Sequence, residues 1–157
     1  MKYLKSLILL GSVALASCAP KSETETSAAV SFENIVDAQG NMHVPGDYLE
    51  KYKYLGTFSV AADKGLGAAQ LHIVYASPGA AAAHKKDGKF PDGTVLVKEV
   101  YEAETGQKTT GTVSYAKKLA GWFIMVKDSK NSHPDNKLWG DGWGWAWFDA
   151  ATPNKTS

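Results

Sequence analysis

Cys18 is the only cysteine in the chain, so residues 19–157 can form neither a disulfide among themselves nor a zinc–thiolate site. GxSxG, Walker and GxGxxG motifs are missing as well, which removes the usual sequence signals of a serine hydrolase, a phosphate-binding loop or a dinucleotide fold. His43, His72, His84 and His133 show no HxH or HExxH spacing, and no carboxylates cluster around them in a metal-ligand pattern. His72 alone is kept as a candidate, because it lies in an apolar stretch between Leu71 and Ile73. Charge of one sign is lacking too. The formal net charge is +1, and without Lys2 and Lys5 it becomes −1, a balance that gives no reason to expect nucleic acid as partner. Beyond the N-terminus there is no long apolar run, and the one at Leu7 to Ala16 is too short for a permanent membrane span.

What is present starts with that leader. "MKYLKSLILLGSVALASC" has a basic start, an apolar middle and small residues before the cysteine, the layout of an exported segment. "LASC" at Leu15 to Cys18 resembles the bacterial lipobox, in which Cys18 is lipidated and becomes the first mature residue. An ordinary signal peptide with an incidental free cysteine is the other reading. On the lipobox reading, residues 1–17 are a lipoprotein signal peptide and the chain is held at a membrane by its acyl chains. Residues 18–31, rich in Ser, Thr and Glu and without a hydrophobic period, form a flexible tether. Residues 32–157 are expected to make one domain, since the length left after the leader suffices for one real core and not for two, and hydrophobic content of 44% and charged content of 21% are those of an ordinary globular protein.

Patterning within that domain predicts an α+β fold, a mainly antiparallel β-sheet with two or three short helices. "VPGDYLEKYKYLG" spaces Tyr48, Tyr52 and Leu55 as one helical face and closes on Gly56. "TFSVAA" and "AAQLHIVYA" flank the Asp63 to Gly67 loop as a hairpin. "SPGAAAAHKKDG" carries Ser77 as N-cap, Pro78 at the first helical position, Lys85 and Lys86 at the negative end, and Gly88 as terminator. "FPDG" then reads as a turn, "TVLVKEVYEA" as a strand, "ETGQKTTG" as a polar connection, "TVSYAKKLAGWFIMVK" as a strand pair and "GWGWAWFDA" as the last strand.

Two of these strands do not alternate cleanly. In "TVLVKEV", Leu96, Lys98 and Val100 fall on one face and Val95, Val97, Glu99 and Tyr101 on the other, so Lys98 and Glu99 cannot both point to water. An inward Lys98 would be favoured as a neutral amine, a nucleophile or attachment point. A solvent-facing or snorkelling Lys98 is the plainer reading. In the last strand, Trp143, Trp145 and Trp147 share a face opposite Gly144, Ala146 and Phe148. Three indoles are either a heavy core layer or the wall of a cavity for a flat ligand. Trp139, across "GDG", is expected on the preceding turn.

Four stretches in one order, "HVPGDYLEKYKYLGTFSV", "LHIVYASPGAAAAHKKDGKFPDGTVLVKEV", "VKDSKNSH" and "GDGWGWAWFDA", resemble the cytochrome P460 family of periplasmic haem proteins. The most specific of them is "HKKDGKFPDGTVLVKE". The resemblance implies a mainly antiparallel β fold, usually dimeric, with c-type haem, and it makes Lys98 the residue joined covalently to the haem edge. It makes His72, Phe123, Trp143, Trp145 and Trp147 haem-pocket candidates. Members that oxidise hydroxylamine carry an ionisable glutamate where this chain has Phe123, and an arginine is expected where it has His72. Both departures favour binding of a small diatomic such as nitric oxide, or electron transfer, over hydroxylamine oxidation. The family's CxxCH segment, which attaches the haem and supplies an axial histidine, follows the aromatic strand. No such segment is found here before Ser157, so the sequence is expected to be truncated. The expected protein is exported, lipid-anchored at the outer membrane and facing the periplasm. A haem-free binding lipoprotein with a tryptophan-lined ligand face is the alternative.

Overall fold

An antiparallel sheet organises the described residues, in strand order β1-β2-β3-β4-β6-β5. The strands are β1 (Lys53–Ala61), β2 (Ala68–Ala76), β3 (Val95–Lys108), β4 (Gly111–Lys127), β5 (Trp139–Gly140) and β6 (Trp143–Asp149). Among the described residues two short helices, α1 (Tyr48–Lys51) and α2 (Ala80–Asp87), complete the α+β architecture expected from the sequence. This computed structural model describes residues 35–156; the leader, the tether and Cys18 lie outside the described residues. Among the described residues, no helix is long and apolar enough to cross a membrane.

Local chemistry explains most boundaries. β5 and β6 are joined by Asp141-Gly142, both at positive φ (52° and 79°), the conformation that a tight hairpin requires and that an Asp-Gly pair adopts readily. α2 stops where Gly88 turns left-handed, φ 67°, with His84, Lys85 and Lys86 in its last turn against the negative end of the dipole. Its start differs from the expected one. The cap is Gly79 at φ 79°, because Ser77 is recruited by the sheet: its hydroxyl accepts from Val95 N at 3.0 Å and its N–H donates to Val95 O at 2.9 Å.

Four further expectations are corrected by strand pairing. The helix read through Gly56 is a single turn, since Tyr52 is already extended and pairing with β2 starts at Lys53. Ladder hydrogen bonds outweigh the i,i+4 tyrosine pattern of so short a segment. The polar stretch after Ala103 continues β3 to Lys108, and the supposed strand pair is one 17-residue strand, β4. Register shifts at Val100/Tyr101 and Glu102/Ala103 let this long hairpin bend without breaking. Trp139 stands in β5, opposite Gly144, rather than on a turn.

The sheet is covered on one face. Val95 and Val97 of β3, Ile124 and Val126 of β4, and Ala146 and Phe148 of β6 form the core with Ile35, Val36, Met42 and Tyr48 from the segment before β1. Gly144 makes this possible, because a Cβ there would meet Met42 Cε at 2.6 Å and the Trp139 ring at 2.9 Å. The opposite face carries α2 only at its margin and holds the side chains that the sequence singled out.

Candidate functional site

The alternation of β3 sends Glu99, not Lys98, into the core. Glu99 is 5% exposed, a costly position for a carboxylate without donors. It has them: Tyr48 Oη donates to Oε1, and Tyr75 Oη approaches Oε2 at 3.5 Å. Trp122 Nε1 in turn donates to Tyr48 Oη at 3.0 Å. Burial, and then the hydrogen bond to Glu99, push the Tyr48 phenol well above its ordinary pKa, so it remains a proton donor throughout the neutral range. A one-residue slip of β3 would exchange Glu99 for Lys98 under these tyrosines, so the network holds the register that places Lys98 on the open side.

On that open side Lys98 is half-buried at the middle of the sheet, between Val74 of β2 and Phe123 of β4. Its Nζ lies 4.7 Å from the centre of the Phe123 ring. His72 pairs with Val100 beside it, and His72 Nε2 is 2.9 Å from Gln70 Oε1. Burial, and secondarily the charge of Lys98, lower the His72 pKa, leaving the imidazole mainly neutral at pH 7.

Aromatic rings continue the surface. Phe123 and Trp145 are 5.9 Å apart between centroids, and Trp145 and Trp143 are 6.4 Å apart. Trp143 meets Phe90 edge-on at 6.1 Å, and Phe90 stacks on His84 of α2 at 4.4 Å. Trp147 lies over Gly121, where a Cβ would come within 2.6 Å of the indole and 2.2 Å of Phe148 O. Trp145 remains 41% exposed, a high value for an indole.

All six residues nominated within the domain, His72, Lys98, Phe123, Trp143, Trp145 and Trp147, therefore meet on one face built from β2, β3, β4 and β6. The three indoles are not a core layer, since Gly144, Ala146 and Phe148 take the core side. Cys18 is outside the described residues. Gly121, Met125 and Phe90 join the face without having been nominated. Met125 stands between Leu96 and Trp145 and could have been found from its two-residue spacing to Phe123, whereas Phe90 sat in a stretch read only as a turn.

The chemistry of this surface suits a flat, π-rich ligand: a sheet wide enough to lie along, stacked rings, and one primary amine at the centre. Among the described residues, no group of three or more His, Cys, Asp or Glu could hold a bare metal ion. No curated protein matches the chain. The cytochrome P460 family model matches residues 45–157, most of the chain and every element from α1 onward. The chain belongs to the cytochrome P460 family, which implies a haem-binding redox protein carrying c-type haem.

Proposed function

We propose that the open sheet face is the haem-contacting face, and that the protein binds or turns over a small nitrogen species there, hydroxylamine or nitric oxide. The observation that carries this is the position of Lys98, the amine at the centre of a face shared with His72, Phe123 and three tryptophans. Residues 19–157 hold no cysteine, and Lys98 is the amine at the centre of the face, with Lys127 at its α2 end. Haem, when bound, supplies the iron and its redox chemistry.

The chain's own residues shape the rest. Phe123 occupies the place next to Lys98 where a carboxylate would relay protons, and a phenyl ring cannot do so. That absence favours ligand binding or electron transfer over proton-coupled oxidation. His72, mainly neutral, can donate or accept one hydrogen bond toward a small ligand without adding a fixed charge. The indoles of Trp143 and Trp145 exclude water and orient a planar ring by stacking. The protein is further proposed to be exported, anchored through a lipidated Cys18 at the outer membrane facing the periplasm, and paired as a homodimer.

Joining the Lys98 amine to a haem-edge carbon replaces one N–H and one C–H by a C–N bond, with two protons and two electrons lost. The test therefore supplies hemin and one equivalent of hydrogen peroxide, which accepts them and leaves as water. Haem should then stay with the unfolded chain on denaturing gels and in the intact mass. Equal retention by Lys98→Met would overturn the assignment, as would absence of any hemin-induced quenching of tryptophan fluorescence.

A further inference from the structure

Past Trp143 the open face runs into a groove of about 560 Å³, lined by His84, Lys89, Phe90, Asp92, Lys127 and Trp143 among others. Its aromatic walls continue the ladder of rings described above, but its rim is cationic. Lys127 Nζ sits 5.2 Å from the centre of the Trp143 ring and donates to Gly142 O at 2.8 Å, which fixes the ammonium and leaves it further N–H groups to donate. Among the described residues, neither Lys89 nor Lys127 takes part in an ion pair. Asp92, the one carboxylate in the lining, is already engaged: it accepts from Ser129 N at 2.8 Å and Ser129 Oγ at 2.6 Å. Those bonds hold its pKa below the usual range, with smaller contributions from Lys127 and Lys130. Asp92 therefore stays ionised, and the lining sets two lysines against one carboxylate, a deficit of negative charge in a chain whose overall charge is nearly balanced.

Its position gives this deficit a use. Lys98 stands opposite Phe123, and Lys127 follows four residues later on the same strand, roughly 13 Å along it at about 3.3 Å per residue. Between them lie Phe123, Met125 and the Trp143–Trp145 pair. The centre of the face offers a primary amine, and its α2 end offers two lysines, Lys127 held against Gly142 O and Lys89 exposed, beside an indole. We infer that this groove is the carboxylate end of the flat ligand's site: Lys89 and Lys127 receive the acid groups of a planar aromatic dianion, of the porphyrin dicarboxylate class, whose ring lies along Trp143 and Trp145. The inference rests on the reading of the open face as a haem face. It adds a polarity to that face, with the ring's apolar edge toward Lys98 and its acids toward α2.

Metal-free mesoporphyrin, its dimethyl ester and benzoate serve as probes, titrated against tryptophan fluorescence in one dilute non-ionic detergent at low salt. The diacid should bind about tenfold more tightly than the diester, the scale of one or two charge-assisted hydrogen bonds in a half-open groove. Lys89→Met and Lys127→Met should each remove much of that preference while leaving diester affinity unchanged, which also shows that the variants are folded. Lys117→Met, paired with Glu104 on the distant β3–β4 arm, should change nothing. A diester that binds as well as the diacid, or a preference that survives both substitutions, overturns the inference. Benzoate binding as tightly as the porphyrin overturns it as well, because the groove would then be a carboxylate site independent of the ring. If neither porphyrin quenches the protein, the haem-face reading itself falls. A bound diester without acid preference sinks only the carboxylate end.

Discussion

Tyr48→Phe measures what holds Glu99, and with it the register of β3. The substitution removes one hydroxyl and keeps the ring, so packing against Tyr75 at 5.5 Å between centroids is retained. Two bonds go with the hydroxyl: the one it donates to Glu99 Oε1 and the one it accepts from Trp122 Nε1 at 3.0 Å. Depriving a buried carboxylate of a donor costs about 1.5–3 kcal/mol, and stranding a half-buried indole N–H adds about 1 kcal/mol. The expected loss is therefore about 3 kcal/mol, a large share of the roughly 5–15 kcal/mol that stabilises a domain of this size. Tyr75→Phe removes only a 3.5 Å contact from a half-buried ring, and should cost less than about 1 kcal/mol. Urea unfolding followed by tryptophan fluorescence reads both, as a fall in midpoint at unchanged slope. A loss below about 1 kcal/mol for Tyr48→Phe, or equal losses for the two variants, would refute the assignment of Glu99's anchoring to α1.

Two pH effects follow from neighbouring groups. Tyr48, Tyr52, Tyr75 and Tyr101 all have raised pKa values, chiefly through burial, and that of Tyr52 is pushed up to about 12 with a smaller contribution from Asp47. Above their ordinary value near 10 the unfolded chain loses phenolic protons that the folded chain keeps, so stability is full below pH 10 and falls as pH rises toward 12. Urea midpoints that stay flat across this window would contradict it, and Tyr48→Phe should shallow the slope. His72 has the opposite sign: its lowered pKa means that the unfolded chain binds a proton that the folded one resists, so its contribution is present above pH 6.5 and lost on acidification. Lys98→Met removes the second cause of that shift and should raise the His72 midpoint in an NMR titration; an unmoved midpoint would show that His72 does not sense Lys98.

Elements with strong local chemistry were legible from the sequence. β2 was bounded correctly because Ala68 to Ala76, with Ile73, Val74 and Tyr75 at its centre, lies between a glycine loop and a proline. The C-terminus of α2 was legible because Gly88 needs no partner to turn left-handed. The start of α2 was not, since Ser77 has two uses for its hydroxyl and only the arrival of β3 decides between capping and bridging to Val95. The same holds for α1, whose helical spacing gives way to the ladder with β2, and for β4, read as two strands because its length is sustained by pairing with β3 and β6. Glu99 carried no signal beyond its alternation with Lys98, because its partners are 51 and 24 residues away.

By itself, the sequence determined the antiparallel α+β class, because two-residue alternation and turn chemistry are local properties, while the family and the candidate set came from the resemblance of four stretches in one order. Alternation assigned Lys98 and the indoles of Trp143, Trp145 and Trp147 each to one face of a strand, but not to the open face. Only the tertiary structure decided that. The covering segment from Ile35 to Tyr52 brings Tyr48 over Glu99 and Met42 over Gly144, and once those contacts bury one face, the other is left as the aromatic surface with Lys98 at its centre.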